Sequence, residues 1–388
     1  MTPSQVVRPA ESAADLECFI ALPYRLHRHD PMWVPQLRMD IRTLLSKTKN
    51  PFFEHAEAEY FLAERPASTT SRLPRTKRGG QTFEVVGRIA AIHNKPHNEF
   101  HSDSVGFFGF FECINDQSVA TALLDTAAEW VRERGLATIR GPASFSTNDE
   151  CGLLVEGFDT PPTLLNPYNP PYYVPLVERA GFSKAKDLYQ YESVNPEMPE
   201  RLLRAARLIA DRKKITLRRF NKKRFDDEIE LIKKLYNSAW EMNWGFVPMS
   251  GAEIDHLAKQ LKPVLVPDLV VFAEREGEVI GFALAIPDLN VALKKNPSGR
   301  IFPGIIKILW AARKVNRIRV LLLGLLKEYR KTGADALMFH WIWEKGRALG
   351  YGWAEAGWIL EDNPAMSNGL ERIGFQRYKT LRMYDRQL

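Results

Sequence analysis

The sequence has few cysteines and no apolar stretch long enough to cross a membrane. Only three cysteines occur in 388 residues, Cys18, Cys113 and Cys151. An odd number without metal-ligand spacing argues against a disulfide framework or a zinc site and fits a reducing cytosol. Apolar runs such as RVLLLGLL are far shorter than the roughly 20 residues that span a bilayer, and the first residues lack a secretion-signal pattern. We therefore expect a cytoplasmic protein, soluble or peripheral at the inner membrane, without a bound metal.

The sequence says nearly the same thing twice. VERAGFSKAKDLYQYE (Val177–Glu192) and LERIGFQRYKTLRMYD (Leu370–Asp385) agree at many matched positions. EVVGRIAAI (Glu84–Ile92) and EVIGFALAI (Glu278–Ile286) correspond in the same order. Blocks that recur only once, at a wide and nearly constant spacing, indicate tandem domains rather than a solenoid.

The length supports the same conclusion, because a chain of 388 residues that is 45% hydrophobic suits two cores better than one. We predict an N-terminal domain over residues 1–196, a basic linker over 197–216 and a C-terminal domain over 217–388. Both copies follow one predicted order: helices, a hairpin, a strand, a long helix, a strand, a short helix ending at Gly-Phe and a final strand.

That order resembles the GNAT acyltransferase superfamily over both halves of the chain. The resemblance implies an α/β (α+β) fold class with two tandem GNAT-like acyl-CoA N-acyltransferase domains, each a mixed twisted sheet flanked by helices. It also implies acyl-coenzyme A as co-substrate, an amine as acceptor and no metal.

The most specific part of the resemblance is a loop between a strand and a helix in the second copy. Arg330, Lys331, Thr332, Gly333 and Ala334 fit the superfamily's Gln/Arg-x-x-Gly-x-Gly/Ala loop, although Asp335 stands where Gly or Ala is usual. A helix N-terminus offers unpaired N–H groups to phosphate, and glycine allows close approach. The loop is therefore the predicted coenzyme A site.

Three further residues are assigned to the cofactor by the resemblance. A backbone N–H at Leu325 or Leu326 is expected to stabilise the oxyanion, and Asn363 is expected beside the cofactor, where it also suits a helix N-cap. The corresponding stretch of the first copy, FFECINDQSVATALL, has no glycine and carries Asp116 at the helix start. We predict that the first copy has lost or altered cofactor binding.

The segment EAGWILEDN is the predicted location of the general base. On a regular strand Glu355 and Glu361 share one face of an otherwise apolar segment, which either marks a catalytic pair or an exposed face with salt bridges. The tyrosine that many superfamily members use as proton donor is absent from its usual place, five residues before the Phe of Gly-Phe. Tyr384 is the substitute that we assign.

Substrate contacts are predicted in two aromatic-rich segments. The long loop from Arg140 to Tyr173 contains Pro, Gly and aromatic residues typical of an ordered, pocket-lining loop. The helix region NSAWEMNWGFVP supplies a further aromatic residue where the superfamily covers its acceptor groove. The predicted substrate contacts are Ser146, Asn148, Glu150, Tyr172 and Trp244.

Basic residues are concentrated in two places although the whole chain carries only +7. Arg201–Arg224 holds eleven bases and one acid, which fits either an anionic partner or solvated helix faces. An insertion in the second copy, about Asn290–Arg319, mixes apolar and basic residues at helical spacing. It suits a helix lying on anionic lipid, the wall of an acyl-chain tunnel, or a buried helix with snorkelling bases.

The chain also resembles a narrower bacterial family of tandem-GNAT proteins. The motifs that carry this likeness are DPMWVP, NPFFEH, GPASFSTNDECGLL, NPPYY, NWGFVP and the run that ends in WILEDN. The family includes the bacterial ceramide synthases, which implies transfer of a long acyl chain to the amine of a sphingoid base. Two alternatives stay open: a Fem-type ligase that uses aminoacyl-tRNA, and a non-catalytic scaffold that binds lipid or protein. Nucleic acid is not expected as a partner of the acyltransferase.

Overall fold

The structure is a computed structural model that describes residues 5–194, 197–330 and 332–388. Its helices are α1 (Ala13–Leu26), α2 (Arg38–Leu44), α3 (Lys95–His101), α4 (Gln117–Arg132), α5 (Tyr173–Arg179), α6 (Glu200–Arg212), α7 (Phe225–Trp240), α8 (Gly251–Leu261), α9 (Asn290–Leu293), α10 (Ile301–Ala312), α11 (Ala334–Ala348) and α12 (Pro364–Arg372). Its strands are β1 (Val6–Pro9), β2 (Ala56–Pro66), β3 (Arg75–Arg78), β4 (Gln81–Asn94), β5 (Val105–Cys113), β6 (Thr138–Gly141), β7 (Ala143–Ser144), β8 (Glu150–Cys151), β9 (Leu153–Glu156), β10 (Ser183–Val194), β11 (Ile215–Arg219), β12 (Val270–Arg275), β13 (Glu278–Pro287), β14 (Arg317–Leu325), β15 (Trp353–Leu360) and β16 (Gln376–Gln387).

The chain forms two compact units that do not follow the two halves of the sequence. Unit 1 contains the chain up to Asp187 together with Asn290–Ala312 and Thr380–Leu388. Unit 2 contains Leu188–Leu289 and Arg313–Lys379. The domain limits at 1–196 and 217–388 describe the repeat along the sequence and stay a prediction.

Unit 1 is built on a mixed sheet. Strands β1, β2, β4 and β5 follow one another antiparallel, β6 lies parallel to β5, and the end of β16 lies antiparallel to β6. Helix α4 packs on this sheet through a stripe of side chains at helical spacing, Val119, Leu123, Ala127 and Val131, all fully buried. This layer forms the larger part of the unit 1 core.

Unit 2 repeats that plan. Its strands run β11, β12, β13, β14, β15 and then the end of β10, with β14 and β15 parallel and the other neighbours antiparallel. Helix α11 buries Met338, Phe339 and Ile342 against one face of the sheet. Helix α7 packs on β13 and β14.

The last strand of each sequence copy completes the unit of the other copy. β10 ends the first copy, yet Leu188–Val194 pair with β15 in unit 2. β16 ends the second copy, yet Tyr384–Gln387 pair with β6 in unit 1. The two strands are the most similar stretches of the sequence, so they occupy equivalent places after this exchange.

Two segments between the repeated elements are also ordered. The stretch predicted as a basic linker contains helix α6, which turns Leu203, Ala206 and Ala210 inward at helical spacing and contacts α11. The insertion of the second copy belongs to unit 1, where α9 and α10 bury Ala292 and Ile308 against Val34. Among the residues described, no helix is long and apolar enough to cross a membrane.

Candidate functional site

The two parallel strands of unit 2 separate halfway along their length. β14 and β15 pair only from Arg317 opposite Trp353 to Val320 opposite Ala356. At Leu321 one extra residue enters β14, because Val320 pairs with Ala285 of β13 while Leu322 pairs with Leu284. Beyond that point the facing edges of β14 and β15 no longer bond to each other, and their residues are partly exposed. An opening therefore lies between the two strands.

Helix α11 begins beside the end of β14. Gly333 is its N-cap, with φ +78° and no side-chain cap, so the first N–H groups of the helix have no partner within it. The Arg330 side chain is exposed and donates to the Ala239 carbonyl at 2.9 Å. Asp335 is exposed in the first turn. Lys331, also predicted at this loop, lies outside the described residues.

Gly333 is required by the fold as well as by any ligand. A side-chain Cβ at this position would lie 2.9 Å from Cα and 3.0 Å from Cβ of Ala206 in helix α6. The positive φ adds strain for any residue except glycine. The sequence interpretation explained this glycine by phosphate alone, and the contact with α6 is a second reason for it.

The backbone of β14 distinguishes the two residues predicted at the oxyanion. The Leu326 N–H donates to the Ile280 carbonyl at 2.9 Å and is therefore already used, which corrects the prediction for this residue. N–H groups alternate between the two edges of a strand. The N–H of Leu325 consequently points away from β13, toward the edge that faces the opening.

A buried row of polar side chains crosses the sheet of unit 2. Arg319 on β14 lies opposite Glu355 on β15, which in turn lies opposite Glu192 on β10. The Arg319 Nε is 3.2 Å from Glu355 Oε2, and both residues are almost fully buried. Because Ala354 and Ala356 contribute to the core with α11, this row occupies the opposite face of the sheet.

Two uncharged polar residues accompany this row, and sequence analysis missed both. Gln190 is 1% exposed, and neither its amide oxygen nor its amide nitrogen has a hydrogen-bond partner among the described residues. The buried Tyr378 hydroxyl also lacks a partner there. Burial, with Glu355 nearby, raises the pKa of Tyr378 well above its usual value. Tyr378 follows the Phe of Gly-Phe by three residues, whereas the motif directs attention to the residues before it.

The predicted pairing of Glu355 with Glu361 on one strand face is wrong. β15 ends at Leu360, so Glu361 lies in the following turn and is partly exposed. In addition, Gly357 pairs with Gln190 and Ile359 with Tyr189, which leaves Trp358 as an extra residue and breaks the alternation of side chains. Asn363 caps helix α12 as expected, accepting a hydrogen bond from the Met366 N–H at 3.2 Å.

The structure gives Tyr384 a structural position. It lies in the core of unit 1, fully buried, on the part of β16 that pairs with β6. Its hydroxyl donates to Glu178 Oε1 at 3.0 Å. The strand exchange places it in unit 1, whereas Glu355 belongs to unit 2. A buried hydroxyl already bonded to a carboxylate is a poor proton donor for a thiolate, which argues against the predicted role.

The first-copy counterpart of the coenzyme A loop is closed by its own side chains. Asp116 caps helix α4 by accepting from the Ser118 N–H at 2.9 Å, so a carboxylate occupies the place where phosphate would bind. The Tyr172 hydroxyl donates to the Cys113 carbonyl at 2.9 Å, and the Cys113 N–H donates to the Tyr173 hydroxyl. This arrangement fits the expected loss of cofactor binding.

The other predicted substrate residues are spread over both units. In unit 1 Ser146 donates to Asp149 and accepts from the Asn148 N–H, while Glu150 pairs with Ser144 in a short hairpin. These contacts organise the long loop. Trp244, in unit 2, is half-buried after α7.

Unit 1 also contains a buried charged cluster that the sequence did not reveal. The Glu112 carboxylate lies 2.6 Å from His27 Nε2 and accepts from the Tyr173 hydroxyl at 2.6 Å. Arg88 is 3.9 Å away. Burial opposes ionisation, but His27 and Arg88 outweigh it and hold the pKa of Glu112 below its usual value. His27 lies just before DPMWVP and Tyr173 ends NPPYY, so the family motifs were the available signal.

The geometry agrees with what comparison with other proteins shows. The chain is 35% identical over 394 residues to the bacterial ceramide synthase of Caulobacter vibrioides, covering 98% of this chain and 97% of that protein. It is 34% identical over 397 residues to the protein YghO of Escherichia coli, covering 99% and 95%. A tandem GNAT protein from the clavulanic acid biosynthesis pathway superposes with a TM-score of 0.54 at 11% identity, covering 99% of this chain and 98% of that one. No family model matches. The predicted fold class is thereby confirmed.

Proposed function

Since the chain belongs to the family of the bacterial ceramide synthase and is a GNAT-type acyltransferase, we propose that it transfers a long fatty acyl chain from acyl-coenzyme A to the amine of a sphingoid-type base. The observation that carries the proposal is the likeness to the ceramide synthase along the whole of both chains. The opening between β14 and β15, beside the N-terminus of α11, supports it from the side of the chemistry.

Coenzyme A suits that opening. Its pantetheine arm carries two amides on an extended chain, and the facing strand edges beyond Val320 and Ala356 offer unpaired backbone groups to such a chain. Its pyrophosphate would bind at the first turn of α11, contacted by the backbone of Gly333 and Ala334 and by the charges of Arg330 and Lys331. Asn363 stays a proposed contact on the far side of β15.

The transfer step requires a neutral amine and a place for two charges. The amine nitrogen attacks the thioester carbonyl, the C–N bond forms, and the C–S bond breaks to release the thiolate. The Leu325 N–H would stabilise the oxyanion that forms on the carbonyl oxygen. The amine loses a proton to a base, and the thiolate gains one from an acid.

Glu355 is the base that we propose, with Arg319 as the residue that positions it. A carboxylate that is fully buried is tolerated because a guanidinium lies 3.2 Å away and the pair shares one row of the sheet. Glu361, partly exposed in the turn after β15, is the second candidate. The buried hydroxyl of Tyr378 replaces Tyr384 as the proposed proton donor to the thiolate.

The uncharged groups of the same region favour an amino alcohol as acceptor. A buried amide or hydroxyl without a partner costs about 1–3 kcal/mol, so a substrate that bonds to Gln190 and Tyr378 would recover that free energy. A sphingoid base carries hydroxyl groups beside its amine, which match such partners. Ser146, Asn148, Glu150, Tyr172 and Trp244 stay proposed substrate contacts, and a lipid acceptor makes peripheral attachment at the inner membrane part of this proposal.

The decisive experiment is palmitoyl transfer from palmitoyl-coenzyme A to a sphingoid base, followed by mass spectrometry. The expected result is an N-acyl product with wild-type enzyme and a strong preference for the long-chain base over small polar amines. Thermal-shift measurements with coenzyme A, palmitoyl-coenzyme A and tRNA separate the alternatives. Stabilisation by tRNA alone would favour a Fem-type ligase, and stabilisation by none of the three would favour a non-catalytic scaffold.

A further inference from the structure

We propose that helix α10 is a membrane-docking element that inserts its apolar face into the surface of an anionic bilayer. Four large apolar side chains of this one helix are mostly exposed: Phe302 (79%), Ile306 (72%), Leu309 (60%) and Trp310 (59%). Ile306, Leu309 and Trp310 are spaced as one helix face, and Phe302 lies at its start. Isolated apolar residues are common on protein surfaces, whereas a contiguous set of this size marks an interaction site.

The helix is fixed in place by its other face. Gly304, Ile308 and Ala311 are buried, and a Cβ at Gly304 would lie 2.4 Å from the Asn296 side chain. Ile308 and Ala311 pack with Val34 of unit 1. The exposed face is therefore held outward by packing, and the alternative of a buried helix with snorkelling bases does not fit it.

The charge of the surrounding segment identifies the kind of partner. From Asn290 to Arg319 the chain has eight Lys or Arg residues and no Asp or Glu. Four of these bases, Arg300, Lys307, Arg313 and Lys314, are exposed beside the apolar face. An apolar face bordered by bases is the pattern of helices that lie in the headgroup region of an anionic membrane.

A second copy of the chain is a poorer fit to the same face. In a symmetric dimer through α10 the bases of one copy would face the bases of the other, and like charges in contact are unfavourable. A bilayer rich in phosphatidylglycerol supplies the opposite charge together with hydrocarbon. The inference concerns attachment and goes beyond the proposed chemistry, since it holds whichever amine accepts the acyl group.

The test is cosedimentation of the full chain with vesicles in the absence of substrates. Vesicles of phosphatidylglycerol and phosphatidylcholine should bind the wild type at least tenfold more tightly than phosphatidylcholine alone, and added salt should weaken that binding. The double variant Ile306→Ser, Trp310→Ser should lose at least tenfold in affinity. The matched control is Met242→Ser, which removes an apolar side chain that is 73% exposed in unit 2, and it should bind like the wild type.

A second measurement locates the contact directly. Vesicles with brominated acyl chains should quench tryptophan fluorescence in the wild type more than in Trp310→Phe. The charge variant Lys307→Gln, Arg313→Gln should reduce salt-sensitive binding, whereas Lys213→Gln, Lys214→Gln, which removes two exposed bases of unit 2, should not.

Three outcomes would overturn the inference: unchanged vesicle binding by the serine double variant, no quenching of Trp310, or a dimer in gel filtration that the same two substitutions disrupt. Activity toward a short, water-soluble amine in the absence of vesicles separates the two proposals. If that activity is present while vesicle binding is absent, only the docking inference fails.

Discussion

Arg140 and Asp385 are joined by two parallel hydrogen bonds of 2.8 Å, although 245 positions of chain lie between them. This fork-to-fork contact, between β6 and β16 of unit 1, ties the end of the chain into a sheet whose other strands come from the first copy. The end of the sequence is therefore part of the core of unit 1.

Removing the exchanged strand should unfold unit 1. Deletion of residues 380–388 takes away the β6 partner and the fully buried Tyr384 and Leu381. The milder variant Tyr384→Ala should lower the free energy of unfolding by about 3–5 kcal/mol, as for other large buried aromatics. Tyr384→Phe, which removes only the hydroxyl bonded to Glu178, should cost much less and should retain activity. Urea unfolding checks both variants, and a large loss of activity in a folded Tyr384→Phe would restore the catalytic role for this residue.

Replacing the proposed base should affect turnover and leave cofactor affinity unchanged. Glu355→Gln keeps the shape and removes the charge, so kcat should fall by roughly 100-fold or more. Glu361→Gln serves as the comparison, and Glu274→Gln, a change at a partly exposed ion pair of β12, serves as the control. The measurement is palmitoyl transfer under saturating substrates together with the Kd of palmitoyl-coenzyme A. If Glu355→Gln retains full kcat, the base lies elsewhere.

The Gly333 position should discriminate between fold and ligand. Gly333→Ala adds a Cβ that meets Ala206 in α6 and strains a positive φ. We expect weaker binding of palmitoyl-coenzyme A and a lower melting temperature. Gly277→Ala, with φ +87° and no atom within 4 Å of the added Cβ, carries the same strain at a hairpin turn and should lower stability alone. Combining Gly333→Ala with Ala206→Gly should restore stability. Coenzyme A binding that stays normal in Gly333→Ala would contradict the proposed site.

The fold should lose stability in mild acid partly through one histidine. Burial, with the nearby charges of His101 and Arg140, lowers the pKa of His97 to about 3, while Asp103 lies 3.3 Å away. The unfolded chain takes up a proton near the ordinary value of about 6.5, and the folded chain does not until about 3. Stability is therefore full above about pH 6.5 and declines toward pH 3, by at most about 1.4 kcal/mol per pH unit.

The variant His97→Gln tests that contribution because glutamine does not titrate. The difference in unfolding free energy between pH 7 and pH 5, measured with urea, should be smaller in His97→Gln than in the wild type. His29→Gln, at an exposed position, should leave the difference unchanged. An equal pH dependence in His97→Gln and the wild type would show that this histidine is not the origin.

Local sequence patterns predicted the elements well but not their partners. The duplication, the two hairpins and the loop before α11 follow from periodicity and from glycine, which act within a few residues. The strand exchange does not, because β10 and β16 carry nearly the same residues and would suit either sheet. The row formed by Arg319 and Glu355 was hidden for a related reason: its members meet only through pairing between strands.

The predicted carboxylate pair failed on a detail of the same kind. The alternation of side chains assumes a regular strand, and Trp358 breaks that regularity in a way that no residue preference announces. Likewise, the engagement of the Leu326 N–H depends on the register with β13. Residues placed by local chemistry alone, such as Asn363 at the start of α12, were predicted correctly.

The exchanged strands also bear on how the protein is made. A ribosome adds about 5–20 residues per second, so β6 waits on the order of tens of seconds before Thr380–Leu388 emerge to cover its edge. During that time unit 1 presents an open strand edge, which is a site for unwanted pairing with other chains. A chain that stops early, or one whose C-terminus is tethered by a fusion partner, would keep that edge open and would aggregate while every residue of its first copy is intact.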